Sequence, residues 1–177
     1  KLNDYNMYKE VEGNLITMAQ SGSFDVIAHG CNSFCTQRSG LAPQMVTAFQ
    51  TDKFPMEDYI YKGDINKLGQ IDFQNLYQDW GKWHLGGCDV DTVFGDDVSH
   101  IIVVNAYTQY HYGAQLKPFD YEAFTLCMRK INHTFKGMHI GLPQIGAGLA
   151  GGTWSVIKSI IQKELKDCQV TVVIYKP

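Results

Sequence analysis

The sequence has no apolar run approaching the ~20 residues that cross a bilayer, and Lys1 to Glu10 lacks the apolar stretch of a secretion signal. It has no surplus of cations. Fifteen Lys and Arg stand against 18 Asp and Glu, a formal charge of −3. A sequence-independent grip on DNA or RNA needs a basic footprint, so composition weighs against a nucleic-acid partner. There is no disulfide framework either. Cys31, Cys35, Cys88, Cys127 and Cys168 are odd in number and irregularly spaced. Free thiols of this kind suit a reducing cytosol and point to a cytoplasmic protein. Cys31 and Cys35 are not followed by a second pair at metal-ligand spacing. His84 and Cys88 are separated by Gly86 and Gly87, which argues against one helix presenting both. No metal and no cofactor are expected. No repeat, low-complexity tract or linker divides the chain, so residues 1–177 read as a single domain.

What is present is alternation. Short apolar strands are expected at Met7 to Glu12, Phe24 to His29, His100 to Val104, Met138 to Leu142 and Val170 to Tyr175. Val26-Ile27-Ala28 and Ile101-Ile102-Val103-Val104 are continuous apolar runs, the mark of strands covered on both faces. Helical stripes are expected over Leu41 to Phe49, Phe119 to Phe135 and Thr153 to Leu165, with Asp120 and Thr153 in N-cap positions. Asp52 to Ser99 reads as a helix, one or two short strands and long loops. The pattern is that of an α/β sandwich.

Two strand–loop–helix segments carry the chemistry. Between Ile140 and Trp154, glycines at 146, 148, 151 and 152 separate a short strand from a helix. Glycines admit close backbone approach, and amides at a helix start favour an anion, so a phosphate or diphosphate is the expected guest. A flexible connector is the plainer alternative. No Gly-Lys-Ser/Thr follows, so this is not a Walker A loop. In the second segment, Val26 to Pro43, a strand leads to His29-Gly30-Cys31-Asn32, then Ser39-Gly40-Leu41 and a helix. Asn32 offers a donor and an acceptor to sugar hydroxyls, or serves as a turn residue. His29 can act as a general acid or base, or sit satisfied at the core edge. The strip Tyr107, Tyr110, His111 and Tyr112 follows the central strand, and Tyr107 is a candidate to stack on a flat ring.

Taken together these stretches resemble macro domains. The resemblance is carried by Glu12-Gly13-Asn14-Leu15-Ile16, by Val26 to Asn32 with Ser39-Gly40-Leu41-Ala42, by Leu142 to Leu149 with Gly152 and Trp154, and by Val170 to Tyr175. They fall in family order from end to end. The nearest branch is that of a fungal ADP-ribose-1″-phosphate phosphatase, a terminal ADP-ribose glycohydrolase and small phage-encoded proteins. A phage-encoded relative would act in the host cytoplasm.

The resemblance implies a three-layer α/β/α macro domain with a central mixed sheet and an ADP-ribose cleft. Asn14, beside Leu15, matches the adenine-contacting position, where Asp is usual. Asn32 matches the distal-ribose asparagine, with Cys31 next to it. Ser39, Gly40 and Leu41 match the first phosphate loop. Ile145, Gly146, Ala147, Gly148 and Leu149 match the second. His29 and Asn32 match residues implicated in catalysis by the fungal phosphatase. The Lys and Asp of the glycohydrolase are replaced by Ala48 and Ala150, which disfavours that mechanism. Arg38 stands where small residues are common. The implied function is ADP-ribose binding with a phosphatase step on ADP-ribose 1″-phosphate. The alternatives are a non-catalytic binder or a hydrolase freeing ADP-ribose from protein or nucleic acid.

Overall fold

The strand Val26–Asn32 lies at the centre of the molecule because both of its faces are apolar. A computed structural model of the chain describes residues 7–55, 63–79, 81–86 and 99–176. Gly87 and Cys88 lie outside the described residues. Among those described, seven strands form one sheet: β1 (Tyr8–Gly13), β2 (Val26–Asn32), β3 (Ile71–Asp79), β4 (Lys82–Leu85), β5 (His100–Gln109), β6 (His139–Pro143) and β7 (Gln169–Tyr175). Their order is β1-β7-β6-β2-β5-β3-β4. The strands from β1 to β5 in that order run parallel, and β3 runs antiparallel between β5 and β4. The helices are α1 (Leu15–Gln20), α2 (Ala42–Phe49), α3 (Tyr121–Thr134) and α4 (Trp154–Glu164).

Successive side chains of β2 point to opposite faces, and each face has its own core. Val26 and Ala28 pack with Val104, Phe124, Met128, Ile131, Ile157 and Ile161 under α3 and α4. Ile27 packs with Met45, Phe49, Ile101, Val103 and Leu76 under α1 and α2. The result is the expected three-layer α/β/α sandwich with a mixed sheet. Each large aliphatic or aromatic side chain removed from water contributes about 1.5–3 kcal/mol, so these two cores dominate stability. Asp120 caps α3, its carboxylate accepting from Ala123 N at 2.9 Å. Thr153 precedes α4 without a side-chain cap.

Two features differ from expectation. β2 runs on to Asn32 and β5 to Gln109, past His29 and Val104, where the strands were expected to end. The reason is cross-strand pairing: His29 lies opposite Asn105, so two polar side chains satisfy each other inside the sheet. Tyr107 therefore belongs to a strand, not to the loop after it. The helix expected within Asp52 to Ser99 is not found among the described residues, and residues 56–62, 80 and 87–98 of that segment lie outside them. The segment holds the β3–β4 hairpin and 3-10 turns at Thr51–Lys53 and Ile65–Lys67. Finally, α1 was not anticipated. It is six residues long, buries Leu15, Ile16 and Ala19, and is capped by Asn14 Oδ1 accepting from Thr17 N at 3.0 Å.

Candidate functional site

β2 and β6 are neighbours whose connections leave in opposite directions. The chain after β2 crosses to α2 on one face, and the chain after β6 crosses to α4 on the other. A crevice opens at the carboxyl ends of parallel strands where connections diverge in this way. Two adjoining cavities occupy it. One, of about 240 Å³, is lined from both loops, by His29 to Asn32, Ser39 to Ala42 and Pro143 to Gly146 among others. The second, of about 520 Å³, shares Gly40, Leu41, Pro143, Gln144 and Gly148 with the first and extends to Asn14, Leu15, Ala147, Val173 and Tyr175.

The loop backbones are shaped to leave donors free. Gly146 and Gly151 have φ of 75° and 80°. A methyl group on Gly146 would collide with the Phe119 ring, and one on Gly152 would fall 2.8 Å from Gly146 O. The loop is closed by Gly152 N donating to Gly146 O and pinned by Phe119 N donating to Ala150 O at 3.2 Å. The amides of Gly146, Gly148, Leu149 and Ala150 find no acceptor among the described residues, nor do those of Ser39, Gly40 and Leu41. Unpaired amides on two loops that line one cavity are donors an anion could use without any cationic side chain. The lining reaches Ala150 but not the start of α4, so the unpaired amides at the cavity belong to the loop and not to the helix end.

His29 is buried, 2% exposed, with Nε2 at 2.7 Å from Asn105 Oδ1. Asn105 Nδ2 donates to Thr51 O at 2.9 Å, and a carbonyl can only accept, so the orientation of the amide is fixed. Nε2 must then carry the proton, and Nδ1 is left with a lone pair that no protein group meets. Burial pushes the His29 pKa down to about 4, against the opposing pull of the Asn105 hydrogen bond. The ring is neutral at pH 7.

The remaining predicted residues are distributed unevenly. Asn32 lines the cavity, but its amide is committed to its own loop. Oδ1 accepts from Phe34 N at 3.0 Å, and Nδ2 donates to Thr36 O at 2.8 Å. Cys31 also lines it, and burial holds its thiol well above the ordinary value, so it is protonated. Ile145 is 4% exposed and packs beneath Gly30, while Leu149 is 61% exposed at the rim. Tyr107 is corrected: it is 1% exposed, donates to Asp72 Oδ2 at 2.6 Å, and lines neither cavity. Tyr112, further along the same strip, lines the first cavity instead, and the terminal Tyr175 lines the second. Gln37, Thr108 and Gln109 also line the first cavity and carried no sequence signal beyond polarity. Among the described residues no three His, Cys, Asp or Glu side chains cluster as a cation site.

No protein-family model matches the chain. Its sequence is 29% identical to an uncharacterized 17.5 kDa protein from the tk-vs intergenic region of enterobacteria phage T4, over 96% of this chain and 97% of that one. Its structure superposes on a macrodomain protein from Streptomyces coelicolor with a TM-score of 0.60 at 20% identity, covering 96% of this chain and 99% of that one. The fold is that of the macrodomains. A further structural match is Thermosipho africanus DarTG, solved in complex with ADP-ribose. It gives a TM-score of 0.65 at 17% identity, covering 98% of this chain and 42% of that one.

Proposed function

We propose that this chain binds ADP-ribose in the double cavity and removes the terminal phosphate of ADP-ribose 1″-phosphate. The observation that carries the binding reading is the set of unpaired amides from two loops around one cavity. A diphosphate would sit on them. The adenosine would fill the neighbouring cavity beside Asn14, Val173 and Tyr175, and the terminal ribose would reach the His29 and Asn32 end. The complex of Thermosipho africanus DarTG with ADP-ribose supports this ligand class. Among the described residues no helix is long and apolar enough to cross a membrane.

For the hydrolytic step, His29 Nδ1 is the acceptor of the proton that an attacking water gives up. The new bond is from the water oxygen to phosphorus. The bond that breaks joins phosphorus to the sugar oxygen, which leaves as a hydroxyl after taking a proton from solvent. Orthophosphate and ADP-ribose are released. His29 is not the proton donor in this scheme because its resting ring is neutral, and the proton it takes from the water passes on to solvent once the phosphate has left.

Binding without turnover is the second reading. It is favoured by the burial of His29 and by the commitment of the Asn32 amide to Thr36 and Phe34. Calorimetric titration with ADP-ribose tests the first claim. Phosphate release from ADP-ribose 1″-phosphate tests the second. Release no faster than that of His29→Ala would leave binding alone.

A further inference from the structure

We propose that Arg38 recognises a phosphate monoester on the terminal ribose of the ligand, held in the cavity formed by Phe34, Thr36, Arg38, Ser39 and Tyr112. The proposal rests on the ADP-ribose reading above and deepens it by naming the end of the ligand that this chain distinguishes. The cavity measures about 280 Å³. It shares Thr36, Ser39 and Tyr112 with the cavity between the two loops, and it shares no residue with the cavity at Asn14 and Tyr175. The three therefore lie in series, and the Arg38 cavity stands at the end opposite the adenosine.

Charge singles out that end. Among the described residues lining these three cavities, Arg38 is the one side chain with a formal charge at pH 7, His29 being neutral. A diphosphate in the middle would be met by neutral backbone amides, so Arg38 is not needed there. Arg38 is exposed and has neither an ion pair nor a hydrogen bond among the described residues. A guanidinium with no partner can present its fork to two phosphate oxygens. The Ser39 hydroxyl beside it is also without a partner among the described residues. The Thr36 hydroxyl is held in place by the Asn32 amide at 3.0 Å. Phe34 and Tyr112 meet edge to face, 5.5 Å between centroids, and wall the cavity with low-dielectric surface that strengthens a charge–charge contact.

The test compares ADP-ribose with its 1″-phosphonate analogue, in which carbon replaces the ester oxygen so that no hydrolysis can occur. Both are titrated calorimetrically into the wild-type chain, Arg38→Gln and Arg38→Lys. The wild type should bind the phosphonate about tenfold more tightly than ADP-ribose, the scale of one charge-assisted pair. Arg38→Gln should remove that preference while leaving the ADP-ribose affinity unchanged, and Arg38→Lys should keep part of it. A wild type that binds ADP-ribose without preferring the phosphonate overturns the proposal and leaves the ADP-ribose reading standing. Equal weakening of both ligands by Arg38→Gln overturns it too, since Arg38 would then serve the diphosphate. A wild type that binds neither ligand overturns both readings.

Discussion

The imidazole of His29 and the amide of Asn105 face each other in register across β2 and β5, and the 2.7 Å bond between them fixes the tautomer of the ring. Its pKa of about 4 lies below the ordinary 6.5, so the unfolded chain takes up this proton first as the pH falls. The stabilisation associated with the neutral ring is complete above pH 6.5 and is lost as the pH drops toward 4. The loss is on the order of 3 kcal/mol. His29→Leu should be less stable at pH 7 by about 1–3 kcal/mol, because Asn105 Oδ1 is left unpaired. Its urea midpoint should nevertheless fall less than that of the wild type between pH 6.5 and 4.5. Parallel decline of the two midpoints would show that another group governs acid sensitivity.

Gly146 and Gly148 should respond in opposite ways to the same change. Gly146→Ala places a methyl group into the Phe119 ring at a backbone φ of 75°, so the loop or the ring must move. Strain of this kind costs about 1–3 kcal/mol, and the thermal midpoint should drop. A methyl group on Gly148 would meet nothing within 4 Å, and this residue lines both cavities. Gly148→Ala should keep its melting temperature and lose ADP-ribose affinity. A Gly148→Ala chain that binds as well as the wild type would remove this loop from the ligand.

Much of this was legible because it is written in composition. Val26-Ile27-Ala28 reads as a doubly covered strand and is one, while the glycines at 146, 148 and 151 fit an anion loop or a flexible connector. The less legible features depend on register. Tyr107 and Tyr112 are equivalent in the sequence, but β5 continues through Gln109 and carries the first into the interior. Asn32 is a sugar contact or a turn residue on sequence alone, because only its partners decide between them. α1 has six residues, too few for a periodic stripe, and its Asn14 cap is recognised only once the helix is in place.

The two tyrosines at issue can be separated experimentally. Tyr107→Phe removes the hydroxyl from Asp72 and should cost about 1–2 kcal/mol of stability, with ADP-ribose affinity unchanged. Tyr175 is 64% exposed at the adenosine end, so Tyr175→Ala should leave stability nearly unchanged. Loss of a stacking surface should weaken ADP-ribose binding by about tenfold while sparing ligands that lack the base. Urea denaturation and calorimetry on both variants check this. A Tyr175→Ala chain with undiminished affinity would move adenine away from that cavity.

Asn32 offers the sharpest contrast between bracing a loop and touching a ligand. Its Oδ1 accepts from Phe34 N and Thr36 N, and its Nδ2 donates to Thr36 O. Asn32→Ala should therefore lower stability by about 1–2 kcal/mol and weaken binding through a loosened loop. Asn32→Asp keeps the acceptor but turns the donor into a second acceptor facing Thr36 O. It also places a negative charge at a 7% exposed position in the cleft proposed to take the diphosphate. Its affinity for ADP-ribose should fall further than that of Asn32→Ala, and raising the salt concentration should recover part of the loss. Should Asn32→Ala keep wild-type stability and abolish binding, the side chain is a ligand contact and the loop is held by other bonds.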